Sequence, residues 1–287
     1  MTVALPQPDA GAEPAPEEGV VLGDNRDVLR RMPSGCVDLI YIDPPFASGG
    51  VRRLDRIRVG QGERTRTGFG DRTYRWQVVS SHAYRDDMAL EDYLDFLGVR
   101  LAEMHRVLKP SGSIYVHLDH HAVHHARLLL DDIFGADRFL NEIIWAYDYG
   151  GRSRDRWPRK HDNILWYARG DSWTFNAQDV DRIPYMAPGL VGPDKAARGK
   201  LPTDVWWMTV VPTSGSERCG YPTQKPLRLL ERIVAASSNP GELVADFFAG
   251  SGTTGVAAMR LGRRHLLVDD NPAAAEIATA RLRDQAG

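Results

Sequence analysis

At 287 residues with 43% hydrophobic content, the chain is long enough to bury one large core and a small satellite. It contains no apolar run of the roughly 18 residues that a membrane-spanning helix needs, and its start lacks the basic, apolar, small-residue succession of a signal peptide, so the cytoplasm is the expected location. A formal net charge of -2 excludes a nucleic-acid binder that works by bulk charge but leaves room for local basic patches, and two cysteines, Cys36 and Cys219, exclude a disulfide framework or a zinc cluster.

In chain order, residues 1–18 are rich in Pro, Ala and Glu and read as a disordered lead. Val20 to Leu22 is a short strand running into Gly23-Asp24, and Asp27 to Met32 a helical turn or two. Val37 to Ile42 is an almost continuous apolar, β-rich run that suits a strand covered on both faces, and Asp43-Pro44-Pro45 ends it. Glu91 to Leu108 repeats apolar residues at helical spacing and is closed by Lys109-Pro110-Ser111-Gly112. Ser113 to Leu118 predicts a strand, Ala122 to Phe134 a helix, and Asn141 to Tyr147 and Asn163 to Tyr167 two more strands. From Gly170 to Pro222 periodicity fades, as in an inserted module.

Alternation then resumes. Pro226 to Ser237 predicts a helix, Glu242 to Asp246 a strand, Thr253 to Leu261 a helix, His265 to Val268 a strand, and Pro272 to Leu282 a last helix with Pro in its first turn. The order predicts an α/β fold with a doubly wound, mainly parallel sheet whose ligands gather at the carboxyl ends of its strands.

Two segments at such ends carry the chemistry. In Asp246-Phe247-Phe248-Ala249-Gly250-Ser251-Gly252-Thr253-Thr254, Gly250 and Gly252 permit a tight strand-to-helix turn and close approach of backbone N–H groups to a ligand. No phosphate-loop Lys follows, and the dinucleotide G-x-G-x-x-G spacing is absent. Asp269 and Asp270 end the next strand, where a carboxylate can accept two hydrogen bonds from a ribose, so the pattern suits a nucleoside without phosphates. A purely structural turn is the alternative. In Asp43-Pro44-Pro45-Phe46, two prolines fix the backbone and remove two donors, leaving carbonyl oxygens and the Asp43 carboxylate as acceptors. Such acceptors suit an exocyclic amino group, whose growing positive charge during methyl attack would meet a preorganised carboxylate, and Phe46 offers a ring for stacking a base. The alternative is a strand terminator with Asp43 capping a turn.

These segments, in this order, resemble the DNA amino-methyltransferases that use S-adenosylmethionine to methylate N6 of adenine or N4 of cytosine, in the class whose catalytic half precedes its cofactor half. The resemblance makes Asp43, Pro44, Pro45 and Phe46 the catalytic loop and Asp246, Phe248, Gly250, Ser251, Gly252, Thr253 and Thr254 the cofactor loop, with Phe247 where Pro is common. Thr223-Gln224-Lys225-Pro226 resembles the segment at the methionine end of the cofactor, with Tyr221 where His is frequent. Thr223 and Lys225 are its candidate contacts. Asp24 resembles the turn that reaches the cofactor's adenine, Asp43 borders the cofactor too, and the ribose falls to Asp269 or Asp270. The implied organisation is a catalytic half over 19–170, a target-recognition insertion over 171–222 and a cofactor half over 223–287.

Recognition of the target is read from charge. Val51 to Arg75 holds eight Arg, Arg52, Arg53, Arg56 and Arg58 among them, against three acids, within a basic loop over 47–87. Arg152, Arg154 and Arg156 form a second cluster beside Trp157. Either patch can hold phosphates or read guanine edges; a solvated surface is the plain alternative. Asp171 to Cys219, with Trp206 and Trp207, is the candidate base-recognition module, although its tryptophans equally suit a core. His120/His124 and His121/His125 have the spacing of a helical metal pair, but no H-E-x-x-H order appears and no metal is expected; Asp119 is instead a candidate helix cap.

The reading is a DNA amino-methyltransferase acting on double-stranded DNA, with adenine N6 favoured by the Asp-Pro-Pro-aromatic loop. The target must leave the stack to present its amino group. N4 of cytosine is the alternative by the same mechanism, an RNA or protein-glutamine methyltransferase a further one, and a non-catalytic specificity partner the alternative of a different class. No membrane contact is expected. A homodimer and a separately encoded restriction endonuclease are the protein partners left open.

Overall fold

The computed structural model describes residues 17–45, 50–67, 73–86, 89–150, 152–212 and 215–286. The lead expected to be disordered, residues 1–18, lies outside the described residues apart from Glu17 and Glu18. Eight strands form one sheet in the order β1 (Gly19–Leu22), β10 (Arg264–Asp269), β9 (Leu243–Asp246), β2 (Val37–Ile42), β5 (Leu108–Leu118), β7 (His161–Ala168), β6 (Phe139–Ala146) and β8 (Val205–Trp207). The pairings from β1 through β5 are parallel, while β7 runs antiparallel to both of its neighbours, β5 and β6. The predicted doubly wound, mainly parallel sheet is therefore present.

Strand β2 shows why the sheet is covered on both faces. All six of its residues are buried. With side chains alternating across the pleat, Ile40 and Ile42 join a core layer with Leu29, Leu97, Leu101 and Leu130, whereas Leu39 and Tyr41 join Leu230, Ile233, Val256 and Ala278 on the other face. The first layer is supplied by α1 (Asn25–Arg31), α2 (Leu90–Val107) and α3 (Val123–Phe134), the second by α5 (Leu227–Ser237), α6 (Thr253–Arg260) and α7 (Pro272–Ala286). The one acid within β2 is satisfied rather than stranded. Asp38 accepts hydrogen bonds from Lys109 Nζ at 2.7 Å and from the Leu243 backbone N–H at 3.0 Å, joining β2 to elements on both sides.

Two expectations are corrected. The segment expected as a basic loop is a two-stranded antiparallel ribbon, β3 (Gly50–Thr67) with β4 (Thr73–Asp86), separate from the main sheet; runs such as Val51, Leu54, Ile57 and Val59 between polar residues suit paired strands. Strand β5 begins at Leu108, because that residue already pairs with Val37 ahead of a register shift. The stretch 171–222 is tied into the main fold: β8 extends the sheet beside β6, and Arg232 Nε of α5 donates to Asp181 at 2.7 Å. A short helix, α4 (Pro193–Arg198), completes it. Trp206 is buried in the second core layer and Trp207 is 75% exposed, so the two neighbours divide between core and surface.

Candidate active site

Strand pairing builds the site. β2 and β9 are neighbours, with Leu39 beside Val244 and Ile40 beside Ala245, so the next step of the register brings Tyr41 level with Asp246. The Asp-Pro-Pro turn leaving β2 and the glycine turn leaving β9 therefore open on the same sheet edge, although about 200 residues separate them. Between them lies a cavity of about 300 Å³.

Most predicted site residues line it. Asp43, Pro44 and Pro45 form one wall; Asp246, Phe248, Gly250, Ser251, Thr253 and Thr254 form another; Asp24, Asp269 and Asp270 border one end, and Thr223 and Lys225 reach in from the segment before α5. Gly252 stands behind the turn rather than in the wall. Its φ of +73° lies in the left-handed region, and a Cβ there would meet Ala278 Cβ at 2.7 Å, so both backbone shape and packing call for glycine. Phe46 lies outside the described residues. The backbone of Arg52, Arg53, Arg56 and Arg58 lies in β3. Arg152, Arg154 and Arg156 are exposed in the segment joining β6 to β7, where Arg156 is paired with Asp155, its guanidinium 2.7 Å from a carboxylate oxygen.

The turn after β9 is held from several sides. Asp246 accepts the Thr254 hydroxyl at 2.5 Å and the Phe248 N–H at 3.0 Å. Burial, assisted by the charges of Asp43 and Asp269, nevertheless pushes its carboxyl up to about 7. Asp269 accepts the Gly250 N–H at 2.7 Å and the Asn271 N–H at 2.9 Å, which fixes the glycine turn to the end of β10. Arg281 of α7 donates to the Ser251 carbonyl at 2.7 Å from behind.

Asp43 is the other focus. One carboxylate oxygen, Oδ2, pairs with Lys225 Nζ, while Oδ1 is buried and has no hydrogen-bond partner among the described residues. Buried acceptors are nearly always satisfied, so an unmet one on a cavity wall marks a place for a donor.

Several wall residues carried no motif. Tyr41 reaches His117 Nδ1 at 2.8 Å, His117 Nε2 lies 3.2 Å from Asp162, and Tyr147 donates its hydroxyl to the same carboxylate at 3.1 Å. Burial favours a neutral Asp162, but the hydrogen bond and charge of His117, the charge of Lys225 and the Tyr147 hydroxyl together hold its carboxyl below the ordinary aspartate value. Burial, reinforced by Asp43 and Asp246, pushes the Tyr41 phenol well above its ordinary value, so it keeps its proton. The two ring nitrogens of His117 thus link the Asp162 carboxylate to the Tyr41 hydroxyl in one hydrogen-bonded chain. On the opposite wall Arg100 donates to Asn25 at 2.6 Å and to Asp24 at 3.1 Å, with its guanidinium 3.7 Å from the Phe96 ring centre. Asn25 in turn donates to the Phe247 carbonyl at 2.6 Å, so α1, α2 and the glycine turn are locked together.

The histidines do not form a helical metal pair, because α3 starts only at Val123 and leaves His120 and His121 in the preceding turn. Asp119, His120 and His121 bring one donor atom each within 4.8 Å of one another. Asp119 closes the turn ahead of α3, accepting the N–H groups of His121 at 3.0 Å and Ala122 at 3.3 Å, while the N-cap itself is Ala122, which has no side-chain cap bond, in place of the expected Asp119.

Comparison with known proteins gives this geometry its context. The DNA methylase family model, of the N6/N4 methyltransferase type, matches residues 37–280. The Type II methyltransferase M.HpaI of Haemophilus parainfluenzae is 35% identical over 256 residues, covering 88% of this chain and 70% of that protein. The DNA adenine methyltransferase YhdJ of Escherichia coli (strain K12) is 29% identical over 272 residues, 92% of this chain and 82% of that one. Among solved structures, the PvuII DNA methyltransferase (cytosine-N4-specific) superposes with a TM-score of 0.65 at 16% identity, covering 93% of this chain and 87% of that chain, a likeness of fold. With a family model spanning both turns that open on the cavity, and a 35% identical relative covering most of its length, the chain belongs to the N6/N4 DNA methylase family.

Proposed function

We propose that this S-adenosylmethionine-dependent DNA methyltransferase acts on the N6 amino group of a flipped adenine, with Asp43 and the Pro44 carbonyl as the acceptors that orient it. The observation that carries the reading is the buried, unpartnered Asp43 Oδ1 on the wall of a cavity shared with the glycine turn. An exocyclic amino group offers two N–H donors, and these two acceptors match them. Asp43 then faces the positive charge that develops on nitrogen, where a fixed carboxylate stabilises it most. Phe46, next in the chain, is the proposed stacking partner of the base.

The residues present fit the methyl donor. Three acids at one end of the cavity suit ribose hydroxyls and an amino group, the glycine turn exposes backbone, and Lys225 offers a cation to a carboxylate. S-adenosylmethionine supplies a methyl group on a positively charged sulfur. Asp269 and Asp270 take the ribose in this reading, Asp269 also fastening the turn, while Thr223 and Lys225 hold the methionine end. Asp24, fixed by Arg100, borders the adenine end.

Adenine is favoured over cytosine by the Asp-Pro-Pro-aromatic loop and by the 29% identical relative named as an adenine enzyme. Among the described residues no helix is long and apolar enough to cross a membrane, and we place the protein in the cytoplasm, with double-stranded DNA as its partner. A homodimer and a cognate restriction endonuclease belong to the same proposal. The Asp43→Ala variant tests the catalytic assignment: turnover is expected to fall by about 10²–10³-fold or more while affinity for S-adenosylmethionine changes little. Methylation at the wild-type rate would remove Asp43 from the chemistry.

A further inference from the structure

The segment joining β6 to β7 hangs over the same sheet edge as Asp43. Because β7 runs antiparallel to β5, with Leu118 beside Asn163, the residues before His161 lie beyond the carboxyl end of β5, the strand next to β2. Its base is rigid: the Tyr147 N–H donates to the Lys160 carbonyl at 2.9 Å, and Lys160 Nζ donates to the Gly150 carbonyl at 3.1 Å. Tyr147 and Asp162 tie that base through His117 to Tyr41 in the cavity wall.

At its tip stands Trp157, 93% exposed. A ring so fully in water leaves a large apolar face free to stack on a partner. Pro158 follows, and a residue before proline is biased toward extended backbone, which narrows the chain conformations at the tip. Arg152, Arg154 and Arg159, its near neighbours in the chain, are exposed, and among the described residues of the cluster Arg156 is paired with Asp155. Exposed cations along the same segment as an exposed ring complement a phosphate backbone enclosing stacked bases.

Resting on the base-flipping reading above, we propose that Trp157 is the wedge that enters the duplex and fills the gap left by the extruded base, while Arg152 and Arg154 hold the flanking phosphates. Reach agrees with the role. Trp157 is five positions along the chain from Asp162, at most about 18 Å of extended backbone, about half of the roughly 34 Å turn of a duplex. The ring therefore stands on the sheet edge on which the Asp43 turn opens, within a duplex turn's reach of Asp162. A stacking ring compensates the lost base–base contacts without needing a particular sequence.

The test uses the full chain, a duplex carrying a methylation site mapped with the wild-type enzyme, and the same duplex with a mismatch opposite the target base. Trp157→Ala should lower turnover on the matched duplex by about 10- to 100-fold, the penalty of opening a pair unaided. On the mismatched duplex, where the base is already loose, it should come within about threefold of wild type, and Trp157→Phe should stay near wild type on both, since a ring is retained. Equal losses on both duplexes, or no loss on either, would overturn the wedge. Methylation of mapped sites by wild type, with Asp43→Ala inactive, keeps the function itself intact in that event. If the variant instead changed only the protein's self-association, the ring would belong to a contact between copies.

Discussion

A carboxyl pushed up to about 7, as burial does to Asp246, is half protonated near neutrality and becomes a sensor for any cation beside it. Its pKa in the folded chain exceeds the unfolded value near 3.9, so its contribution to stability is complete below pH ~4 and is lost as the pH rises through about 7. With the methyl donor's sulfonium beside it, Asp246 would favour the ionised form, and binding would release a proton and tighten as Asp246 ionises. The expected outcome is a Kd for S-adenosylmethionine that falls by about three- to tenfold between pH 6 and 8 in wild type. Asp246→Asn should flatten that dependence. Calorimetry at the two pH values decides it, and an equally steep profile in the variant would assign the effect elsewhere. At the same scale, Asp43→Ala separates chemistry from cofactor affinity, and Trp157→Ala separates base opening from both.

The β3–β4 ribbon follows directly on the Asp-Pro-Pro turn, and a two-stranded ribbon is one of the two shapes that a major groove admits. If Arg52, Arg53, Arg56 and Arg58 hold phosphates from it, replacing all four with Gln should reduce the salt slope of DNA binding by about 0.9 per lost contact. An unchanged slope would make the ribbon ordinary surface. Elements like this one mark where the sequence was hard to read. Long periodic runs such as Leu90–Val107 and Val37–Ile42 declared themselves within a residue or two, because a buried face imposes its period on the chain. The ribbon did not, since Gly60 and Gly62 and the density of Arg mask its pairing. β8 did not either, because three residues carry no period. The site divides in the same way. Residues in strand-end turns were legible because the turn itself demands glycine or proline there. Asn25, Phe96, Arg100, His117 and Asp162 were not, since their roles come from tertiary placement by elements far apart in the chain.

On the scale of the molecule, the Asp-Pro-Pro turn and the glycine turn meet only because β9 returns beside β2 at the centre of the sheet. The parallel order sends their carboxyl ends to one edge, the antiparallel β7 delivers Asp162 and the Trp157 segment to that edge from the opposite direction, and the cavity lies where these paths converge. One cavity walled by the Asp-Pro-Pro turn and the glycine turn follows from that placement. The reaction proposed there is methyl transfer to an exocyclic nitrogen of DNA. The most direct measurement is incubation of the purified protein with unmethylated bacterial DNA and labelled S-adenosylmethionine, followed by nucleoside mass spectrometry. Labelled N6-methyladenine is the expected product; N4-methylcytosine would keep the site and reverse the base, and the absence of any methylated nucleoside from a protein that binds the donor would overturn methyl transfer to DNA.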